Sequence, residues 1–174
     1  KLLFDNKFGL LNTGDKGEYL GKFEAVDRLV VIYNDGNYEI TDQELTQRFD
    51  TEKVLLIEKF DAEKIITAVY FDKEKVQYSV KRFKIETSTL HNKFFFIKEG
   101  DGNYLEAVTS EDEPVLAMQS GRGAQVRKAK VTISKVVDVM GWKALGNKLA
   151  DFNKSIEMEW VPRLPNNPQA ELFE

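Results

Sequence analysis

The chain of 174 residues has no cysteine, one histidine and four prolines. Without cysteine it can form no disulfide, thiolate nucleophile or cysteine-ligated metal site, which is typical of a reducing compartment. A lone histidine also disfavours a zinc site. No apolar run approaches the ~18 residues of a membrane span, and no charged-then-apolar signal opens the chain. We therefore expect a cytoplasmic protein without membrane contact.

Catalytic patterns are also scarce. No glycine-rich loop ends in Lys-Ser or Lys-Thr, so no nucleotide-phosphate cradle is visible. Aspartate and glutamate are plentiful but fall mostly in turns, and no spacing isolates a catalytic pair. With 42% hydrophobic and 31% charged residues, the chain can bury a core as one domain. We expect no independent enzymatic activity and no cofactor or metal in this stretch of chain.

The most informative pattern that is present is a unit repeated three times. Each copy has an apolar strand, a tight polar turn and a second strand, and paired basic residues follow in the second and third copies. Turns that recur every ~40 to 48 residues are typical of propeller-like arrays, in which one small sheet needs a neighbour to bury its face. The copies span residues 29–40, 67–83 and 115–128.

Other short apolar runs, at 54–57, 65–66 and 94–97, have the β-branched and aromatic composition of strands, so the fold is predicted to be all-β. Alternating aromatic residues are predicted to pack in its core: Tyr33, Tyr38, Phe71, Tyr78 and Phe83. Residues 1–161 form the predicted β domain. Prolines interrupt the chain after that point, so residues 162–174 are predicted to be an extended or flexible arm.

Charge is distributed unevenly along the chain. The net charge of −4 and the pI near 5.3 disfavour nucleic-acid binding. However, residues 115–148 hold seven basic residues and one acid, and residues 73–98 are also mainly basic. If the fold brings corresponding parts of the repeats to one rim, these clusters merge into a basic stripe. Such a stripe can follow the phosphates of a DNA duplex.

The segments 121–128 and 139–149 resemble the blade signature of the C-terminal domain of bacterial type IIA topoisomerase A subunits. The likeness extends to 35–40 and 80–83, and the chain is similar to the A subunit of topoisomerase IV. The resemblance implies a β-pinwheel, a propeller-like array of four-stranded blades whose basic outer edge binds and bends duplex DNA. It also implies that this chain is a fragment with about three to four blades.

Departures from that family refine the expectation. The glutamine-arginine-arginine-glycine-glycine-lysine-glycine box of gyrase A subunits is absent, which favours a topoisomerase IV-like subunit. Trp142 stands where the family has arginine, so one phosphate contact is missing or replaced by packing. No tyrosine follows an arginine, so no catalytic residue carries over. The resemblance implies a nucleoid-associated parent enzyme that uses ATP and Mg on other domains, with the catalytic core and the B subunit as partners.

Nine basic residues are the candidate DNA contacts. Each also has an ordinary alternative as a solvated strand-end or loop charge. The glycines in the same segments of the chain are expected to serve turns or bulges; they are Gly121, Gly123, Gly141 and Gly146. The nine candidates are Lys81, Arg82, Lys84, Arg122, Arg127, Lys128, Lys130, Lys143 and Lys148.

Protein docking is the alternative function. Propeller-like arrays are often docking surfaces, and the acidic stretch 106–113 could bind a basic partner. The C-terminal residues Gln169, Leu172 and Phe173 resemble the Gln-x-x-Leu-Phe peptides that dock on the bacterial sliding clamp, with Leu172 and Phe173 entering an apolar pocket. Short motifs recur by chance, so a plain chain terminus is the competing interpretation.

Overall fold

The short apolar runs form strands, and the prediction of an all-β fold is confirmed. A computed structural model describes residues 1–151 and 156–163. In that part of the chain, no helix is long and apolar enough to cross a membrane. The strands are β1 (Leu2–Asp5), β2 (Leu10–Asn12), β3 (Glu18–Gly21), β4 (Leu29–Tyr33), β5 (Asn37–Thr41), β6 (Val54–Lys59), β7 (Ile65–Asp72), β8 (Gln77–Lys84), β9 (Phe94–Phe95), β10 (Tyr104–Thr109), β11 (Val115–Ser120), β12 (Arg127–Thr132), β13 (Val139–Met140), β14 (Asn147–Asp151) and β15 (Glu157–Trp160).

These strands build separate open sheets that follow one another along the chain. The first sheet has the order β2-β1-β3, and the second has the order β6-β4-β5-β9. The third has the order β10-β7-β8, with β13 and β14 both pairing with β8. The fourth has the order β12-β11-β15. The sheets are numbered by their order along the chain.

Every sheet contains one hairpin of two strands that are consecutive in the chain. The hairpins β4-β5, β7-β8 and β11-β12 are the three repeats predicted from the sequence. The first hairpin, β1-β2, was not predicted, because its strands are short. Gly9 and Gly36 precede the second strands of the first two hairpins with φ of 74° and 90°, a conformation that favours glycine. Val76 holds the same place in the third hairpin, with φ of 51°.

Successive sheets exchange strands. After the second hairpin the chain reaches back to the first sheet, where the Phe49 N–H donates to the Gly9 carbonyl (2.8 Å), and then returns as β6 beside β4. After the third hairpin, β9 pairs with β5 and β10 returns to β7. After the fourth, β13 and β14 pair with β8 and β15 returns to β11. Among the described residues, β12 has no strand paired on its outer edge, and β2 pairs only with β1 and receives no exchanged strand.

Apolar clusters fill the spaces between neighbouring sheets. One includes Phe4 and Val31, a second Ile32 and Ala68, and a third Val69 with Leu116. The second and third sheets are consequently covered on both faces, and all five residues of β4 are buried. Each large apolar side chain buried in this way contributes ~1.5–3 kcal/mol. The predicted core aromatics follow this pattern: Tyr33, Tyr38, Tyr78 and Phe83 are buried, and Phe71 is half-buried.

The described chain continues a short distance past β15. The Val161 N–H donates to the Val115 carbonyl (2.8 Å), and Arg163 donates to the Asp112 carbonyl (2.6 Å). The Arg163 guanidinium also lies 3.7 Å from a Glu111 carboxylate oxygen. The prediction of a flexible arm concerns mainly residues 164–174, which lie outside the described residues, so it stays a prediction.

Candidate nucleic-acid interface

The hairpin β11-β12 carries the densest group of exposed cations. Arg122 lies in its turn, and Arg127, Lys128 and Lys130 lie on β12, all of them exposed. Ala129 points to the opposite face from Lys128 and is exposed as well, so this part of β12 is open on both faces and along its edge. None of the four cations forms an ion pair with a described residue. The sequence has no acid between residues 114 and 137.

The two basic dipeptides of the repeats, Arg127-Lys128 on β12 and Lys81-Arg82 on β8, occupy different positions relative to their turns. Arg127 opens β12 opposite Ser120, at the turn end of the hairpin. In the third hairpin, Gln77 takes that first position opposite Asp72, and Lys81 is the fifth residue of its strand. Strand position alone does not decide exposure, because Tyr78, the counterpart of Lys128 in the third hairpin, is buried. The difference follows the outer edge: β13 and β14 pair with β8, whereas β12 has no such partner among the described residues. The dipeptides are alike in sequence and not in environment.

The outer face of the fourth sheet has one basic and one acidic row. Lys128 lies opposite Gln119, which in turn lies opposite Glu157. Lys130 and Glu159 flank Ala117 in the same way. A shallow groove of about 570 Å³ separates the rows, which are two strand spacings or ~10 Å apart. A phosphate that approaches at the β12 edge meets cations, whereas one over the β15 side meets carboxylates.

Lys81 is buried, which removes it from the exposed surface. Its side chain is 2% exposed, and its Nζ donates to the carbonyl oxygens of Phe96 (2.5 Å), Trp142 (2.7 Å) and Ala144 (2.7 Å). Burial lowers the pKa of Lys81 to about 8. All three ammonium protons already have acceptors, so no phosphate contact is available to this residue in this structure.

Arg82 is buried on the other face of β8. It is 7% exposed, and its Nε donates to the Thr67 hydroxyl at 3.4 Å. Both faces of the third sheet are covered by neighbouring sheets, which is why adjacent residues of one strand are buried together. The prediction that Lys81 and Arg82 contact DNA stays a prediction, and because both side chains are buried, neither belongs to the interface proposed below.

Two other candidates are exposed but paired. Lys84 lies 3.4 Å from a Glu63 carboxylate oxygen, and Lys148 lies 2.6 Å from one of Asp151. All four side chains are at least 40% exposed, and exposed ion pairs contribute only ~0–1 kcal/mol. These lysines can exchange a carboxylate for a phosphate at little energetic cost.

Lys143 lies on the loop between β13 and β14. Its side chain is exposed, with Nζ 5.1 Å from the centre of the Trp142 ring. Trp142 itself packs edge-on against Tyr38 and Phe94, at centroid distances of 6.0 and 5.8 Å. Of the two sequence interpretations of Trp142, packing is the one that the contacts favour.

Two further lysines line the groove beside Lys143. Lys75 and Lys98 face a cavity of about 430 Å³ that Lys143 also lines. Lys98 lies 2.5 Å from a Glu74 carboxylate oxygen, and this hydrogen bond raises its pKa. Both lysines belong to the basic stretch 73–98, but neither was predicted as a site residue, because only the fold brings the turn of the third hairpin next to the 141–146 loop.

The glycines serve two different purposes. Gly121 and Gly123 have φ of 90° and 60°, which confirms their predicted role in the turn. Gly146 is required for close approach, because a Cβ there would lie 2.7 Å from the Val80 carbonyl oxygen. Its N–H donates to the Tyr70 hydroxyl at 2.9 Å. A Cβ at Gly141 would meet no atom within 4 Å.

The remaining residues considered in the sequence are His91 and the C-terminal residues that resemble a clamp-binding peptide. The His91 imidazole lies 3.6 Å from an Asp42 carboxylate oxygen at the surface. Within residues 1–151 and 156–163, no group of three His, Asp or Glu side chains could hold a metal ion. The clamp-like residues Gln169, Leu172 and Phe173 lie outside the described residues.

The chain matches the model of a known protein family. The family model described as topoisomerase C-terminal domain, Bacteroidota, matches residues 10–157. The match begins at the first residue of β2 and ends at the first residue of β15, so it covers most of the chain and parts of all the sheets. No curated protein matches the chain.

Proposed function

The chain belongs to the topoisomerase C-terminal domain family of Bacteroidota, and we propose that it binds and bends duplex DNA as a non-catalytic accessory domain. The observation that carries the DNA-binding proposal is the open basic strand β12, where Arg127, Lys128 and Lys130 are exposed without acidic partners among the described residues. Cations arranged in this way bind phosphates and release the counterions of DNA, whatever its sequence.

The proposed interface combines free and paired cations. The free cations make the first contacts, and the exposed ion pairs open to add further ones. Phosphate contacts position a duplex without reading its bases, so the domain selects charge and shape. The free members are Arg122, Arg127, Lys128, Lys130 and Lys143, and the paired members are Lys84 and Lys148.

We propose that the sheets are the blades of a pinwheel-like array. The repeated strand exchange supports this arrangement, since backbone hydrogen bonds as well as apolar clusters join each sheet to the next. A support joined in this way resists deformation when DNA bends over it. Bending a duplex by 40–90° costs ~1–6 kcal/mol, and counterion release from several contacts offsets that cost.

The parent enzyme of this proposal is a topoisomerase IV-like type IIA enzyme. Its catalytic core and B subunit are the proposed protein partners, and ATP and Mg act on domains other than this one. The missing gyrase box supports relaxation and decatenation over the introduction of negative supercoils. In this scheme the bent DNA segment is presented to the core for strand passage.

The proposal is tested by fluorescence anisotropy of a labelled random-sequence duplex over a salt series. The variant Arg127→Ala/Lys128→Ala is expected to weaken binding and to flatten the log-log salt slope by about one to two units. The matched control Lys16→Ala/Lys53→Ala removes two exposed charges from the loops that precede β3 and β6 and is expected to leave the slope unchanged. Binding that ignores salt, or equal effects of both variants, would contradict the proposed interface.

A further inference from the structure

We propose that Lys81 is a positioning residue: its buried ammonium group holds the 142–144 backbone against the third sheet and thereby presents Lys143 to DNA. The part of this inference that concerns DNA rests on the function proposed above. The anchoring of the loop does not, so the two can fail separately. Lys81 lies inside the core and touches no surface that DNA could reach.

Lys81 fills a gap in the strand pairing of β8. The exchanged segment pairs with β8 in two pieces, since β13 lies beside Arg82 and Phe83, and β14 begins opposite Val80. Lys81 is the residue left between them. Residues 141–146 lie between the two paired pieces and have no ladder pairing with β8, and the Lys81 side chain supplies hydrogen-bond donors to the Trp142 and Ala144 carbonyls of this segment.

The ammonium group is fully used at this place. It donates to the Trp142 and Ala144 carbonyls of the loop and to the Phe96 carbonyl, which follows β9. A lysine ammonium has three donors, so none remains for solvent. One side chain thus joins β8 to the exchanged segments of two successive repeats.

The surroundings of the ammonium are apolar or neutral. Ala68 lies directly opposite on β7 and leaves room for the lysine stem. Nζ lies 5.2 Å from the centre of the Phe83 ring and 5.9 Å from that of Phe96. The titratable groups on the packed elements are Tyr70 and Asp72 of β7, Tyr38 and Glu39 of β5, and Lys143 of the loop, and the two carboxylates accept hydrogen bonds from residues other than Lys81. Burial raises the pKa of both tyrosines, so they remain neutral while Lys81 is charged.

This anchor fixes residue 143 from both sides. The carbonyls of its two neighbours, Trp142 and Ala144, both accept from Lys81. The Ala144 N–H donates to the Gly141 carbonyl (3.0 Å), and Gly146 is held by Tyr70. The Lys143 side chain is left to point outward over the Trp142 ring. The fifth residue of β8 is Lys81, whereas the fifth residues of β5 and β12 are Thr41 and Val131. Of these three strands, β8 alone has a cation at this position.

The test is a double-mutant cycle on DNA affinity with Lys81→Met, Lys143→Ala and the double variant. We expect each single variant to weaken binding by a similar factor, about threefold to tenfold, and the double variant to weaken it no further. Val69→Ala is the matched control: it truncates a fully buried side chain on the other face of the same sheet and is expected to keep DNA affinity. Independent, multiplicative effects of Lys81→Met and Lys143→Ala would overturn the proposal.

Amide hydrogen exchange separates the anchor from the DNA function. Lys81→Met is expected to increase exchange at Ala144 and Gly146 while β4 and β6 stay protected, and Val69→Ala is expected to leave the loop unchanged. If wild-type protein binds no DNA but the loop responds in this way, the proposed function fails and the anchor stands. If the loop exchanges alike in wild type and Lys81→Met, the anchor fails.

A measurement on the unaltered protein covers the case in which Lys81→Met does not fold. A buried ammonium with three acceptors exchanges its protons slowly, so nitrogen-15 spectra should show one lysine side-chain signal that persists when those of surface lysines are lost to exchange. Comparison with Lys81→Arg assigns that signal. If every lysine ammonium exchanges its protons at the rate of surface lysines, the Lys81 anchor does not exist.

Discussion

Cationic side chains of this chain occupy three kinds of environment. Arg127 and Lys128 are exposed without acidic partners among the described residues, Lys148 is exposed in an ion pair, and Lys81 is buried. An exposed ion pair is weak, whereas a buried ammonium must be fully hydrogen-bonded to be tolerated. Residue type alone therefore says little about which cation can meet a phosphate, and burial divides the candidates.

The buried ammonium makes stability depend on pH. The pKa of Lys81 in the folded chain is about 8, below the 10.5 of an ordinary lysine. Between these values the unfolded chain binds more protons than the folded one, so the free energy of unfolding rises with pH. This contribution is lost as the pH falls through about 8.

Urea denaturation of wild type and Lys81→Met at pH 7.5 and 9.5 measures this effect. The stability of wild type relative to the variant is expected to rise by about 1–2 kcal/mol between the two pH values. Groups other than Lys81 cancel in that difference. A difference that is the same at both pH values would mean that Lys81 does not titrate in this range.

At the scale of elements, strand exchange links neighbouring sheets through the turns of the hairpins. A Cβ at Gly9 would lie 2.1 Å from the Phe49 carbonyl oxygen, and the Gly9 carbonyl accepts from the Phe49 N–H. In the second hairpin, a Cβ at Gly36 would lie 2.1 Å from the Ile97 side chain, and its carbonyl accepts from Phe96. These glycines let the exchanged segment lie directly on the turn.

Gly9→Ala is expected to lower the free energy of unfolding by at least about 2 kcal/mol, because it adds a backbone clash to the cost of φ = +74°. Thermal unfolding gives the loss, and amide exchange at Phe49 shows whether the exchanged segment has loosened. The control Gly123→Ala has φ = +60° and open space around its Cβ, so it is expected to cost only about 1 kcal/mol. Equal losses in the two variants would show that the contact with Phe49 contributes nothing.

At the scale of the whole molecule, the net charge of −4 conceals a basic face and acidic turns. The fourth sheet brings both signs together, with Lys128 and Lys130 on one edge strand and Glu157 and Glu159 on the other. DNA affinity is nevertheless expected to fall steeply with salt, because each contact between a cation of β12 and a phosphate releases counterions from the DNA. Under the proposed function, we expect the face of the fourth sheet, and not the average charge, to set the direction from which DNA approaches.

The clamp-binding hypothesis also belongs to this scale. The full chain is expected to retain the bacterial sliding clamp in a pull-down, because Leu172 and Phe173 would enter an apolar pocket. Leu172→Ala/Phe173→Ala is expected to abolish retention, and Arg127→Ala/Lys128→Ala should not affect it. Equal retention of wild type and the Leu172 and Phe173 variant would remove the hypothesis.

The sequence by itself determined the strand content, three of the hairpins and the aromatic core, because alternating apolar residues and turn residues act over a few neighbours. The resemblance to the topoisomerase family also rested on local segments, and the family match confirms it. The first hairpin was missed because strands of three or four residues leave too short a pattern.

Only the tertiary structure decided which basic residues are free. Lys81-Arg82 and Arg127-Lys128 look alike along the chain, but the first pair lies in a sheet covered on both faces, whereas the second lies on an edge strand that no described strand covers. Strand exchange brought Lys75 and Lys98 beside Lys143 and gave Lys81 its three carbonyl acceptors. These relations join residues far apart in sequence, so they depend on how the sheets stack, which no short segment encodes.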